Sequence, residues 1–466
     1  MDSPACNLPG ISRRHFVKAA ALGIAGAGLG LLDSPLVAQL KGDRPEQADG
    51  VKVLHPQNRV PVSFIIDDST CLVNLAHFGI PQFHEVFPQS YKQDWKKLPR
   101  EIPDAFVREF AEWCRGHGVK GKYSVVPNPA WVGWLDRDLP GWSKKELEES
   151  LKLVREFLMP DWDIHPEMVT HTWVIDMKTG RPYAERSARF MENWGWTDGK
   201  SADELAGYLS YALRILKNVG LPCEGITTPG GFGNRVLPEL AQATLQACRD
   251  VFQAHVPHYF RHIYTGKQSV APRVEYASDL GGADPRCVVS IIGCTDDWFG
   301  GWDGLSPGSV DKLITEDLKG GRLPEVIGRG EPAILCCHWP GIYFNGERVG
   351  FNIFKEAVAR LHRRYDNLVW MKLSEIARYW AAKELTRIEK QGGKVALHAP
   401  FATPRFTLEV AAAPGGAVQV TSNAAPQILK EVRTPLELAG GTFHRHDRGV
   451  TACFDLARGR SVVELK

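Results

Sequence analysis

The sequence lacks a dominant charge: 56 Lys and Arg stand against 54 Asp and Glu, a formal net charge of +2. Nucleic-acid binders neutralise phosphates with a clustered basic face, and a balanced chain supplies none, so no nucleic-acid partner is expected. Paired CxxC spacing is missing too. The 10 cysteines are scattered, which excludes a zinc ribbon. Cys336 and Cys337 are adjacent in AILCCH, and neighbours on a strand point to opposite faces, so they read as two small buried side chains. There is no apolar run of spanning length; the longest, AAALGIAGAGLGLL, is short and rich in glycine. No internal repeat is present, and low complexity is confined to that N-terminal stretch.

What is present begins with an address. Ser12-Arg13-Arg14-His15-Phe16-Val17-Lys18, followed by the weakly apolar stretch and by Ala38 at a plausible cleavage point, resembles a twin-arginine signal peptide. This implies the twin-arginine translocase as a partner during export, a periplasmic or secreted location, and no stable membrane insertion after cleavage. The expected division is a signal peptide at 1–38, a polar linker at 39–58, a β/α unit at 59–388 and an accessory antiparallel β domain at 389–466. Of the 14 tryptophans, many stand beside glycine or proline, where an indole either stacks on a sugar or anchors a loop.

Strands are expected at residues 61–67, 121–127, 166–172, 223–229, 287–293, 332–338 and 367–373, with another near 258–264. Helical patterns separate them. Two carry capping boxes: Ser143 with Glu146, and Ser201 with Glu204. Apolar strands alternating with helices predict a parallel sheet, and their number favours a barrel of seven or eight β/α units. In such barrels the working side chains sit at the C-terminal ends of the strands. Those ends carry Asp67 and Asp68, Asn128, His171, Thr228, Asp296 with Asp297 and Trp298, and His338 with Trp339. Adjacent acids at the end of a buried strand need a cation, a shared proton or open water. After about residue 390, short alternating runs with Gly, Pro and Asn turns read as antiparallel β structure.

Taken in order, FIIDDST, EMVTHTWVID, ITTPGGFGN, CTDDW and AILCCH resemble the motifs of the polysaccharide deacetylase (NodB-homology) family over residues 60–380. The resemblance implies a distorted (β/α)7–8 barrel of NodB-like type, and an exported metal-dependent hydrolase removing acyl groups from a carbohydrate. It implies Asp67 as base, Asp68 and His171 as ligands of a divalent ion, zinc being expected, and His338 as acid oriented by Asp297. The family carries a second histidine four residues on, where this chain has Ile175, so Asp176 or His165 is expected to complete the ligand set. Thr228 stands where the family has an arginine beside the base. Trp298, Trp339, Thr228 and Tyr343 are the expected substrate contacts. The alternatives are a glycoside hydrolase or polysaccharide lyase pairing Asp67 or Asp68 with Asp296 or Asp297, and a glycan-binding relative without turnover.

Overall fold

The computed structural model describes residue 45 and residues 47–466 except 412–414 and 424, so the expected signal peptide lies outside the described residues. Among the described residues no helix is long and apolar enough to cross a membrane.

In chain order the strands are β1 (Val51–Val53), β2 (Val60–Asp67), β3 (Gly121–Ser124), β4 (Trp162–His165), β5 (Ile175–Asp176), β6 (Arg181–Pro182), β7 (Gly225–Thr227), β8 (His258–Ile263), β9 (Arg273–Ser278), β10 (Arg286–Gly293), β11 (Ala333–His338) and β12 (Leu368–Trp370). The remainder are β13 (Arg387–Gln391), β14 (Lys394–Ala399), β15 (Thr403–Val410), β16 (Val418–Ser422), β17 (Ala425–Ile428), β18 (Lys430–Val432), β19 (Thr442–His446), β20 (Gly449–Leu456) and β21 (Gly459–Leu465). Strand β11 pairs in parallel with β2, β2 with β3, and β3 with β4, while β12 adds to the start of β2. A second sheet runs β7-β8-β10-β9, parallel except for β9, a strand absent from the sequence reading.

The chain is thus mixed α/β with parallel strands, but no closed barrel forms among the described residues. Isolated hydrogen bonds span the two seams: Thr227 N–H to the Pro166 carbonyl (3.0 Å) between β4 and β7, and Cys294 N–H to the Ile334 carbonyl (2.7 Å) between β10 and β11. Side chains help at the second seam, where Thr295 Oγ1 accepts from Cys336 N–H at 2.8 Å.

β2 is apolar except at Ser63 and Asp67, and every one of its residues is buried. Val62, Phe64 and Ile66 join the cluster under the outer helices, and Ile65 joins a second cluster with Ile334 and Cys336. Side chains alternate, so Ser63, Ile65 and Asp67 share the inner face. By the same alternation Lys122 and Ser124 of β3, His165 of β4, and Cys336 and His338 of β11 face inward. Cys336 and Cys337 fall into different clusters, as their adjacency predicts. All described cysteines are buried.

The helices start where the sequence says they should. Ser143 and Ser201 each accept from the backbone N–H of Glu146 and Glu204, and each glutamate reaches back to the cap, completing both boxes. The helix Leu373–Leu385 joins the two halves of the molecule. Leu373, Ile376 and Ala377 meet the inner cluster, and Tyr379 and Ala382 meet the core of the C-terminal region. That region is a sandwich of two five-stranded sheets, β1-β15-β20-β19-β18 and β13-β14-β21-β16-β17. Inward Phe406, Leu408 and Phe454 of one sheet pack with Val395, Leu397 and Val463 of the other. Residues 51–53, within the expected linker, form one of its strands through pairing with β15. A small module at 389–466 would leave that edge of β15 bare.

Candidate functional site

The site is assembled where β2, β4, β10 and β11 end. Asp67 closes β2 opposite His338 of β11, and Asp68 then turns off the strand with φ +57. Asp67 is fully buried, and its Oδ1 accepts from Lys122 Nζ at 2.6 Å. Lys122 is buried as well and uses its other donors on the Ile66 carbonyl (3.0 Å) and Ser124 Oγ (2.8 Å). A buried ammonium this fully bonded is tolerable only because each donor has a partner. Thr228 brings no cation to the base, and the cation beside Asp67 is Lys122 of β3, the neighbouring strand.

Asp68 lies at the centre of a second group. His171 Nε2 is 2.7 Å from Asp68 Oδ1 and 3.5 Å from Glu167 Oε1, and the Asp68 backbone N–H donates to Glu167 Oε2 at 2.9 Å. One ligand atom from each of Asp68, Glu167 and His171 lies within 4.8 Å of the others, and all three side chains are buried. Burial pushes the His171 imidazole towards neutrality, but Asp68 and Glu167 outweigh it and hold its pKa well above the ordinary histidine value. For Glu167, burial and the nearby Asp67 push upward, and the contact with His171 wins, leaving its carboxyl below the usual range.

His338 lies beside this group. Its Nδ1 is 2.5 Å from Asp297 Oδ1, in the loop after β10, and its Nε2 lies 4.0 Å from Asp68 Oδ2. A carboxylate on Nδ1 fixes the proton there and aims Nε2 at the acids.

The remaining expected residues lie elsewhere. Asp176 sits in β5 and folds its own turn, accepting from Lys178 N–H (3.0 Å) and Thr179 Oγ1 (3.3 Å); it is not one of the clustered ligands. His165 ends β4 on the inner face, with Nε2 3.0 Å from His258 Nε2 and Nδ1 3.3 Å from Thr227 Oγ1. Burial first, then His258 and Lys122, lower its pKa well below the ordinary value. Trp339, expected on substrate, is 1% exposed and packs on Phe106, Phe110 and Tyr123. It follows His338, so the alternation that turns the imidazole inward sends the indole to the outer core. Tyr343 lies on that outer side, 5.0 Å from Phe106. Thr228 is 1% exposed and its hydroxyl accepts from Arg261 Nη1 at 3.1 Å. Trp298, beside Asp297, is half-buried against the main core.

Three residues escaped the sequence reading. Lys122 had a signal, a lone charge inside the buried run GKYSVV. Glu167 had one as well: counting four residues back from His171, rather than forward to Ile175, gives a carboxylate at the spacing of a ligand pair. Glu192 had none. It is fully buried and accepts from the backbone N–H groups of Val169 (3.1 Å), Thr170 (3.1 Å) and His171 (2.5 Å), and from the Tyr208 hydroxyl (2.5 Å). Burial raises its pKa to about 7 against the pull of those donors. EMVTHT is therefore no strand; β4 ends at His165, and residues 166–172 form a loop folded around this carboxylate.

No protein-family model matches the sequence, and the search of curated proteins finds no match. Solved structures with similarity include a probable polysaccharide deacetylase from Pseudomonas aeruginosa PAO1, at 10% identity over 70% of this chain and 91% of that one, TM-score 0.35. A 4-alpha-glucanotransferase from Thermococcus litoralis is 12% identical over 68% of this chain and 40% of its own, TM-score 0.36. The catalytic domain of a GH30 xylanase C from Talaromyces cellulolyticus is 8% identical over 89% and 99%, TM-score 0.24. Likenesses this remote bring no activity to this chain.

Proposed function

We propose that the protein is a metal-dependent hydrolase that removes acyl groups, acetyl above all, from a carbohydrate, and that it acts after twin-arginine export. One observation carries the reading: Asp68, Glu167 and His171 converge beside an imidazole, His338, that is itself oriented by Asp297.

The donor set fits a divalent ion. Two carboxylates and one imidazole are bunched and buried there, and the carboxylates repel each other unless a proton or a cation joins them. Asp68, Glu167 and His171 would hold the ion, and two oxygens with one nitrogen suit manganese or magnesium as well as the zinc expected from the sequence. When bound, the ion supplies Lewis-acid polarisation of an acyl oxygen.

The chain's own groups supply the rest. Asp297 holds the Nδ1 proton of His338, and Nε2, on the side of Asp68, carries a proton to the departing amine or alcohol. Asp67 acts as base, taking the proton of the attacking water; Lys122 holds its Oδ1 at 2.6 Å, and Cys336 Sγ lies 3.9 Å from its Oδ2. Asp297 is engaged by His338 at 2.5 Å, which argues against the glycosidase pairing through Asp297.

The test is product analysis on acetylated glycans, with and without a chelator. Acetate release that stops on chelation and returns on adding a divalent ion is expected. Reducing ends without acetate, or acetate release that survives complete chelation, would overturn the reading.

A further inference from the structure

We propose that Glu192 is a positioning residue, a carboxylate that folds the 169–171 loop and so presents His171 to Asp68 and Glu167. The inference rests on His171 working in the site proposed above, but its evidence is separate from the ligand cluster.

The backbone of this loop can be accounted for group by group. The N–H groups of Val169, Thr170 and His171 all point at Glu192. The carbonyls turn the other way: Val169 O accepts from Asn128 N–H (2.9 Å), Thr170 O from Ala130 N–H (2.9 Å), and His171 O from Asn193 Nδ2 (2.5 Å). Glu192 N–H donates in turn to the Thr172 carbonyl at 2.8 Å. Successive amides converging on one point form a concave anion receptor, and here the anion is a side chain of the same protein.

Such a loop is costly without its anion. Met168 and His171 both take positive φ, +56 and +66, which side chains other than glycine adopt rarely. Buried amides left unbonded would add to that strain. Glu192 repays both, because a carboxylate is acceptor-only and can take every donor that faces it. Glutamine cannot: whichever way its amide turns, the NH2 group faces backbone N–H donors, those of Val169 and Thr170 at one oxygen position or those of Thr170 and His171 at the other. The left-handed turn at His171 swings its imidazole out of the strand direction and onto Asp68, which no extended continuation of β4 would do.

Glu192→Gln changes no volume, so it leaves the core filled and removes only this match. Its fold is checked by circular dichroism, and three readouts follow: amide hydrogen exchange at residues 169–171, affinity for Mn2+ or Zn2+ alone by calorimetry, and kcat against KM on an acetylated glycan. Exchange at those amides should rise, ion affinity should fall by about 10–100-fold, and kcat should fall more than KM rises. A folded variant with wild-type exchange and wild-type ion affinity overturns the proposal. If the wild-type protein binds neither ion, the metal reading fails, and exchange at 169–171 alone decides the role of Glu192. Should Glu192→Gln not fold, Tyr208→Phe loosens the same carboxylate without touching the loop; unchanged exchange and affinity there overturn the proposal equally.

Discussion

His165 and His171 stand six residues apart in one strand and its loop, yet the fold drives their pKa values in opposite directions. His165 turns inward with a second imidazole, His258, as neighbour; burial, then His258 and Lys122, hold its pKa well below the ordinary value. His171 meets two carboxylates, which outweigh burial and hold its pKa well above it. Burial is the same for both, and it pushes both the same way. The difference lies in what shares the dry space: an imidazole offers a neutral hydrogen-bond partner, whereas carboxylates offer a charge that offsets the desolvation. A ligand site needs the second kind of surroundings and a stable interior needs the first. The backbone makes room for the inner pair at Gly225, where an added Cβ would lie 2.7 Å from the His258 ring.

The contrast can be broken most visibly at the cleft. Replacing His338 with Ala removes the imidazole that Asp297 orients and should lower kcat by roughly 10²–10⁴-fold, while leaving the inner pair and the melting temperature nearly as they are; initial-rate assays on an acetylated glycan measure it. Next in size is His171→Ala, which should weaken binding of a divalent ion by at least the roughly 10–100-fold lost when a supporting residue is removed. Calorimetry with Mn2+ or Zn2+ checks this, and unchanged affinity would remove His171 from the ligand set.

The inner pair should respond in stability instead. His165→Leu strands a buried nitrogen of His258 and should cost about 1–3 kcal/mol, with much of that recovered in the His165→Leu/His258→Leu double variant, because two apolar partners leave nothing unsatisfied. Urea unfolding measures both, and ion affinity should change in neither. The smallest effect is pH-dependent. Burial holds His258 at about 4 in the folded protein, against about 6.5 unfolded. The unfolded chain therefore binds more protons between those values, so this contribution is complete above about 6.5 and is lost as pH falls toward about 4. At pH 5 the loss should be roughly 1–2 kcal/mol relative to pH 7. His258→Gln should flatten that slope, and an unaltered slope would show that His258 is not responsible.

Much of this was legible in the residues. The buried run of β2, the acids that end it, the histidine ending β11 and the two capping boxes are local patterns, and each stands where the pattern put it. The loop 166–172 was misread as a strand, because β-branched residues fit an extended chain as well as a loop held by Glu192. The third member of the cluster was missed for a related reason. Four residues forward of His171 stands Ile175, whereas the loop doubles back and brings in Glu167, four residues before it.

The sequence by itself determined the alternation along the strands it marked, with Ser63, Ile65 and Asp67 on one face of β2 and Cys336 and His338 on one face of β11, because a strand's period of two depends only on adjacent residues. Only the tertiary structure decided their partners. Lys122 reaches Asp67 from 55 residues away, Asp297 reaches His338 from 41, and Glu192 folds a loop 21 residues before it. Those meetings depend on how the two parallel sheets abut at their seams, and on backbone amides finding a buried acceptor. Neither is written in any local window of the chain, since burial fixes how much each contact is worth and burial is a property of the whole fold.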